Sequence, residues 1–161
     1  VDWKSEIQDI YRRNSSEIRS EPIFREPITE QQIVGVKEIL GVELSGDLLD
    51  LLKQTNGFDQ RCFSGEHTWK DFALFGYDQM IKFNKSHLEF AVFLKEINQE
   101  PPCQMFFFTH DGYGNGFGFK VENGKLSNEV GVYEPIDNWF LIKASNFKAW
   151  LNGWFSGEIH T

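Results

Sequence analysis

The sequence predicts a single α+β domain, and three observations carry that expectation. Apolar residues recur at helical spacing up to Gly57 and again near the end of the chain. After Cys103 the sequence breaks into short Phe- and Val-rich runs separated by glycine turns. The 161 residues include sixteen Phe and five Trp, enough large rings to fill an interior without a metal or a disulfide.

The elements follow in order. From Asp2 to about Asn14, Trp3, Ile7, Ile10 and Tyr11 fall on one helical face, with Asp2 placed to cap it. Residues 15 to 28, with two prolines and no periodicity, are expected to be a connecting loop. Thr29 opens a second helix with a capping box completed by Gln32; Ile33, Val36, Ile39 and Leu40 form its apolar stripe, and Gly41 ends it. Ser45 begins a third, with Asp47 near its positive end, Leu48, Leu49, Leu51 and Leu52 inward, and Asn56-Gly57 as its stop. These leucines need a sheet to cover. A short strand is expected at "FALFG", after a polar stretch containing Trp69. Tyr77 to about Asn98 is helical in pattern, with a break expected near Asn84 to Ser86 and with Leu88, Val92 and Leu94 to Ile97 inward. Four strands follow in "QMFFFTH", "GFGFKV", "KLSNEVGVYE" and "NWFLIKA", the second and third joined at "ENGK" by a two-residue hairpin turn. Ser145 is placed to cap a final helix whose face carries Phe147, Trp150, Leu151 and Trp154.

Charge and composition narrow the function. The net charge of −8 is shared by both halves of the chain, with no basic stripe, which argues against direct nucleic-acid binding and suits a basic protein partner. No run approaches the length of a membrane span, so a cytoplasmic protein is expected. Cys62 and Cys103 are expected as free thiols, with one disulfide as the alternative, and no Cys/His spacing suggests a metal site. No cofactor is expected.

The stretch "FFFTHDGYGNGFGF" (Phe106 to Phe119) is the one candidate for chemistry. Its glycines, Gly112, Gly114, Gly116 and Gly118, fall at every second residue, so the third glycine of GxGxxG is replaced by Phe117 or Phe119, and a strand rather than a helix follows. "DGYGN" fits a tight turn, and Gly116 and Gly118 leave one strand face bare for a close neighbour. His110 and Asp111, adjacent on a strand, point to opposite faces and are expected to bond locally rather than act as base and orienting acid.

The order of these motifs resembles the SUKH superfamily, and more narrowly the SMI/KNR-type domain. Leu40-Gly41, Leu44 and Asn56-Gly57 match its helix–step–helix start. Gly112, Gly114, Asn115, Phe117 and Phe119 match its turn and aromatic strand. Val132, Tyr133, Asp137, Ala144, Ser145, Phe147, Trp150 and Leu151 match its close. Ser45 stands where the family usually has proline, and "EPID" replaces the acidic-His motif of some members. The resemblance covers roughly residues 29 to 155. It implies a central, mainly antiparallel sheet with N-terminal, middle and C-terminal helices packed against it, residues 1–28 adding a helix and loop to a domain over 29–161. It also implies a non-catalytic, protein-binding role: an immunity protein that neutralises a cognate polymorphic toxin domain, expected to be basic and often a nuclease. The alternatives are a general intracellular regulatory or scaffold domain and, third, a small-ligand binder or enzyme built on His110 and Asp111. For the immunity role the expected partner-binding residues are Glu66, Trp69 and Asp71 in one loop-like segment, and Asp111 and Tyr113 at a hairpin tip.

Overall fold

The computed structural model describes residues 1–14 and 16–161. Local signals in the sequence become caps where expected. Helix α1 (Trp3–Arg13) starts at Asp2, whose carboxylate accepts from the Ser5 N–H at 3.1 Å, and it buries Trp3, Ile7, Ile10 and Tyr11. Helix α2 (Glu30–Leu40) carries the reciprocal Thr29–Gln32 capping box and ends at Gly41 with φ 69°. Helix α3 (Gly46–Leu52) buries Leu48, Leu51 and Leu52.

The segment expected to be a loop holds strand β1 (Arg19–Phe24); Ser15, where that expectation began, lies outside the described residues. Pro22 sits inside β1, which is tolerable because β1 pairs on one side only. The polar stretch before "FALFG" is likewise a hairpin. Strands β2 (Phe58–Ser64) and β3 (His67–Leu74) pair antiparallel across a two-residue turn, Gly65-Glu66, with Gly65 at φ 57°. Trp69 and Asp71 therefore lie on a strand, not in a loop.

Helix α4 (Tyr77–Glu96) runs unbroken through Asn84. A break was expected near Asn84 to Ser86, but Asn84 is buried and bonded on the inward face. The inward stripe is Met80, Asn84 and Leu94, while Leu88, Val92 and Ile97 are exposed, as is Ile39 on α2. Strands β4 (Met105–His110), β5 (Gly116–Glu122), β6 (Lys125–Glu134) and β7 (Trp139–Ala144) form an antiparallel meander, with Asn123 and Gly124 at positive φ in the β5–β6 turn. Helix α5 (Phe147–Ser156) is capped by Asn146, not Ser145; the Asn146 side chain accepts from the Ala149 N–H at 2.8 Å.

The fold is α+β, with two antiparallel sheets, β1–β2–β3 and β4–β5–β6–β7, in place of one central sheet. They meet at a seam where Phe75 N–H donates to the Phe108 carbonyl at 3.0 Å and the Thr109 hydroxyl to the Ala73 carbonyl at 2.8 Å. The four-stranded sheet is covered on both faces. On one, Phe117 and Phe119 meet Trp150, Trp154 and Phe147 of α5. On the other, Phe107 meets Phe83 and His87 of α4. The bare side of β5 lies beneath β4: a Cβ on Gly116 would strike the Phe107 ring, and one on Gly118 the Phe106 backbone. The close neighbour is thus the adjacent strand and its ring, with α4 above it.

Asn56-Gly57 ties these layers together. The Asn56 side chain accepts from the Tyr77 N–H at 2.8 Å at the start of α4, and Gly57, at φ 68°, has the Leu74 and Phe75 carbonyls where a Cβ would stand.

Candidate protein-interaction surface

The residues singled out in the sequence lie on two segments, the β2–β3 hairpin and the β4–β5 loop. Trp69 and Asp71 alternate on one face of β3, and Phe72 points to the other, where its ring stacks on His110 of β4 with centroids 4.8 Å apart. Asp71 faces away from that stack, and Asp111 and Tyr113 lie on the loop that follows β4. Glu66 stands apart at the far tip of the β2–β3 hairpin.

Asp71 belongs to the face of the three-stranded sheet covered by α1. There the Tyr11 hydroxyl donates to Gln60 at 2.9 Å, and burial above all, with the Asp71 carboxylate nearby, pushes the Tyr11 hydroxyl up. Burial and then Asp71 push the Cys62 thiol up as well, so it stays a neutral thiol. Cys62 and Cys103 are both free. Trp69, across from Cys62, is 40% exposed.

The β4–β5 loop is braced from within. Asp111 accepts from the Tyr113 N–H at 2.7 Å, the Asn115 N–H at 3.1 Å and the Asn115 side-chain amide at 2.7 Å. Burial pushes the Asp111 carboxyl up, but hydrogen bonds from Tyr113, Asn115 and the Thr161 side chain outweigh it and hold the group below the ordinary carboxylate range. Gly112 and Gly114, at φ 82° and 103°, give the loop its path. Tyr113 stands at its tip, 91% exposed. A rigid mount for an exposed ring lowers the entropy lost when a partner covers it.

His110 and Asp111 do not form a catalytic dyad. The imidazole packs against Phe72, Phe75 and Phe83, and its Nδ1 accepts from the Gly112 N–H at 2.9 Å. The carboxylate is engaged by its own loop. Among the described residues, no three His, Cys, Asp or Glu side chains converge in an arrangement that would hold a metal ion, and no helix is long and apolar enough to cross a membrane.

Two polar residues with structural weight escaped the sequence reading. Asn84 accepts from the Phe107 N–H at 2.8 Å and donates to the Phe107 carbonyl at 2.8 Å, so its amide pairs with β4 as a strand would. His87 lies between Phe107 and Tyr133, with centroids at 4.6 and 4.9 Å, and burial lowers its pKa to about 4. The signal for the missed hairpin was present in "FDQRCFSGEH", where a glycine turn separates two segments able to pair.

These features define an α+β protein of two antiparallel sheets and five helices. The chain belongs to the SMI1 / KNR4 family (SUKH-1), which it matches over residues 27–153. Members of this family are generally non-catalytic immunity or regulator domains. No curated protein matches the chain.

Proposed function

We propose that this chain is a cytoplasmic immunity protein that binds and neutralises a cognate toxin, a basic nuclease domain, by forming a tight complex. The observation that carries this reading is Tyr113, an almost fully exposed ring on a loop fixed by Asp111 and Asn115, in a protein of net charge −8. The acidic field steers a basic partner to the surface. Tyr113 and Trp69 then supply apolar area at the centre of contact, while Glu66, Asp71 and Asp111 act on encounter and register.

The test is affinity capture from the native organism with mass-spectrometric identification, followed by association kinetics on the captured toxin. A basic nuclease should be recovered and inhibited, and its association should slow with added salt. Charge reversal at Glu66, Asp71 and Asp111 should slow it further by about tenfold or more. Inhibition indifferent to all three reversals and to Tyr113→Ala would remove this surface. Recovery of several weak partners and no toxin would favour a regulatory scaffold.

A further inference from the structure

Helix α4 leaves a crevice of about 330 Å³ between its second half and the chain that leads into β4. His87, Leu88 and Ala91 line it from the helix, and Pro101, Cys103 and Met105 from the returning chain. That second wall is pinned at both ends. The Asn138 side-chain amide donates to the Glu100 carbonyl at 2.8 Å, and the Val121 N–H donates to the Gln104 carbonyl at 2.8 Å. Asn138 is itself held by the Tyr133 hydroxyl at 2.7 Å, and the Tyr133 ring stands at 83° to that of His87. The crevice is therefore built before anything enters it. Its volume lies near the lower end of small-molecule sites, roughly 300–1,000 Å³.

Lys95, Glu100 and Gln104 also border the crevice, but they are exposed to water. His87 is different. Its Nε2 is enclosed without a hydrogen-bond partner, and burial keeps the imidazole neutral. A neutral imidazole carries one proton and one lone pair. The proton is better placed on Nε2, where the Phe107 and Tyr133 rings offer N–H···π contact and no protein group donates. Nδ1, which is not enclosed in this way, is then the acceptor. We propose that this crevice binds a small phenol-like molecule, its ring between Ala91 and Met105 and its hydroxyl donating to Nδ1 of His87. Sulfur from Cys103 and Met105 on one wall favours an aromatic ring over an alkyl chain. An uncharged donor suits the site, because a neutral imidazole supplies no charge to offset the burial of a carboxylate or phosphate. The site is separate from His110 and Asp111 and from the Tyr113 loop, which follows the other end of β4.

Calorimetric titration of the full chain with p-cresol, and with p-methylanisole, which has the same ring but no donor, tests this. p-Cresol should bind at a single site, about fivefold more tightly than p-methylanisole. It should also slow alkylation of Cys103 by iodoacetamide, read by mass spectrometry with the buried Cys62 as internal reference. His87→Phe should erase the preference between the two probes, and Ala91→Trp should fill the crevice and weaken both. Thermal unfolding confirms that each variant folds, and the Cys103 measurement needs no variant. No saturable binding, equal affinity for the two probes, a preference that survives His87→Phe, or Cys103 alkylation indifferent to p-cresol would each overturn the proposal.

Discussion

The two sheets bury their aromatic residues to different extents. In the four-stranded sheet Phe106, Phe107, Phe108, Phe117 and Phe119 are all buried, with α5 against one face and α4 against the other. In the three-stranded sheet α1 covers one face, and the other carries ion pairs: Arg61 with Glu21 at 3.2 Å, and Asp59 with Arg25 at 2.7 Å and Lys70 at 2.9 Å. The residues of β3 from His67 to Asp71 are exposed throughout. The three-stranded sheet buries Phe58 against Tyr11 and Phe155 yet leaves that stretch of β3 open to solvent. The difference teaches that in this fold a strand's packing partners decide whether a ring is core or exposed.

The sharpest way to break that contrast is to truncate one ring on each side of it. Trp150→Ala, at a fully buried site against Phe108 and Phe117, should cost about 3–5 kcal/mol in chemical denaturation. Next in size, Asn84→Ala strands the Phe107 N–H and carbonyl in the interior, and a loss of about 3 kcal/mol is expected. A loss under 1 kcal/mol would mean that water replaces the amide.

His87 adds a pH dependence confined to the four-stranded side. Its folded pKa is lowered to about 4, so the unfolded chain binds a proton more readily than the native one between that value and the ordinary histidine value near 6.5. Its effect is absent above about pH 6.5, and stability falls as pH drops from there toward 4, by about 2 kcal/mol after allowance for the partly open ring. His87→Phe should remove this part of the pH dependence, measured as the difference between the two denaturation series.

The smallest stability effects belong to the other side. Trp69→Ala and Tyr113→Ala should each change stability by about 1 kcal/mol or less. In the proposed complex the same changes should cost about 2 kcal/mol or more of binding free energy, read by titration calorimetry. A large loss of stability from Tyr113→Ala would make that ring part of the scaffold.

Much of this architecture was legible in the sequence wherever a short stretch carries its own partner. The Thr29–Gln32 box, the Asp2 cap, the Asn123-Gly124 turn and the inward faces of α1 and α5 are each settled within a few residues. The misses share the opposite property. Strand β1 has no alternation to betray it, because its pairing is with β2, thirty-four or more residues further along. Asn84 reads as a helix break until Phe107 stands opposite it. For the candidate surface, the sequence supplied the residue types and the turn around Asp111, but not the β2–β3 hairpin that carries Trp69 and Asp71 or the stacking of Phe72 on His110.

By itself, then, the sequence determined the fold class, the caps and turns, and the supply of rings, because steric preference and local hydrogen bonding act over one or two turns of chain. Only the tertiary structure decided which polar groups would be buried, which rings would face water and which sheet edge would stay open. Those outcomes depend on burial and pairing between segments far apart in the chain, whose partners no short window of sequence contains.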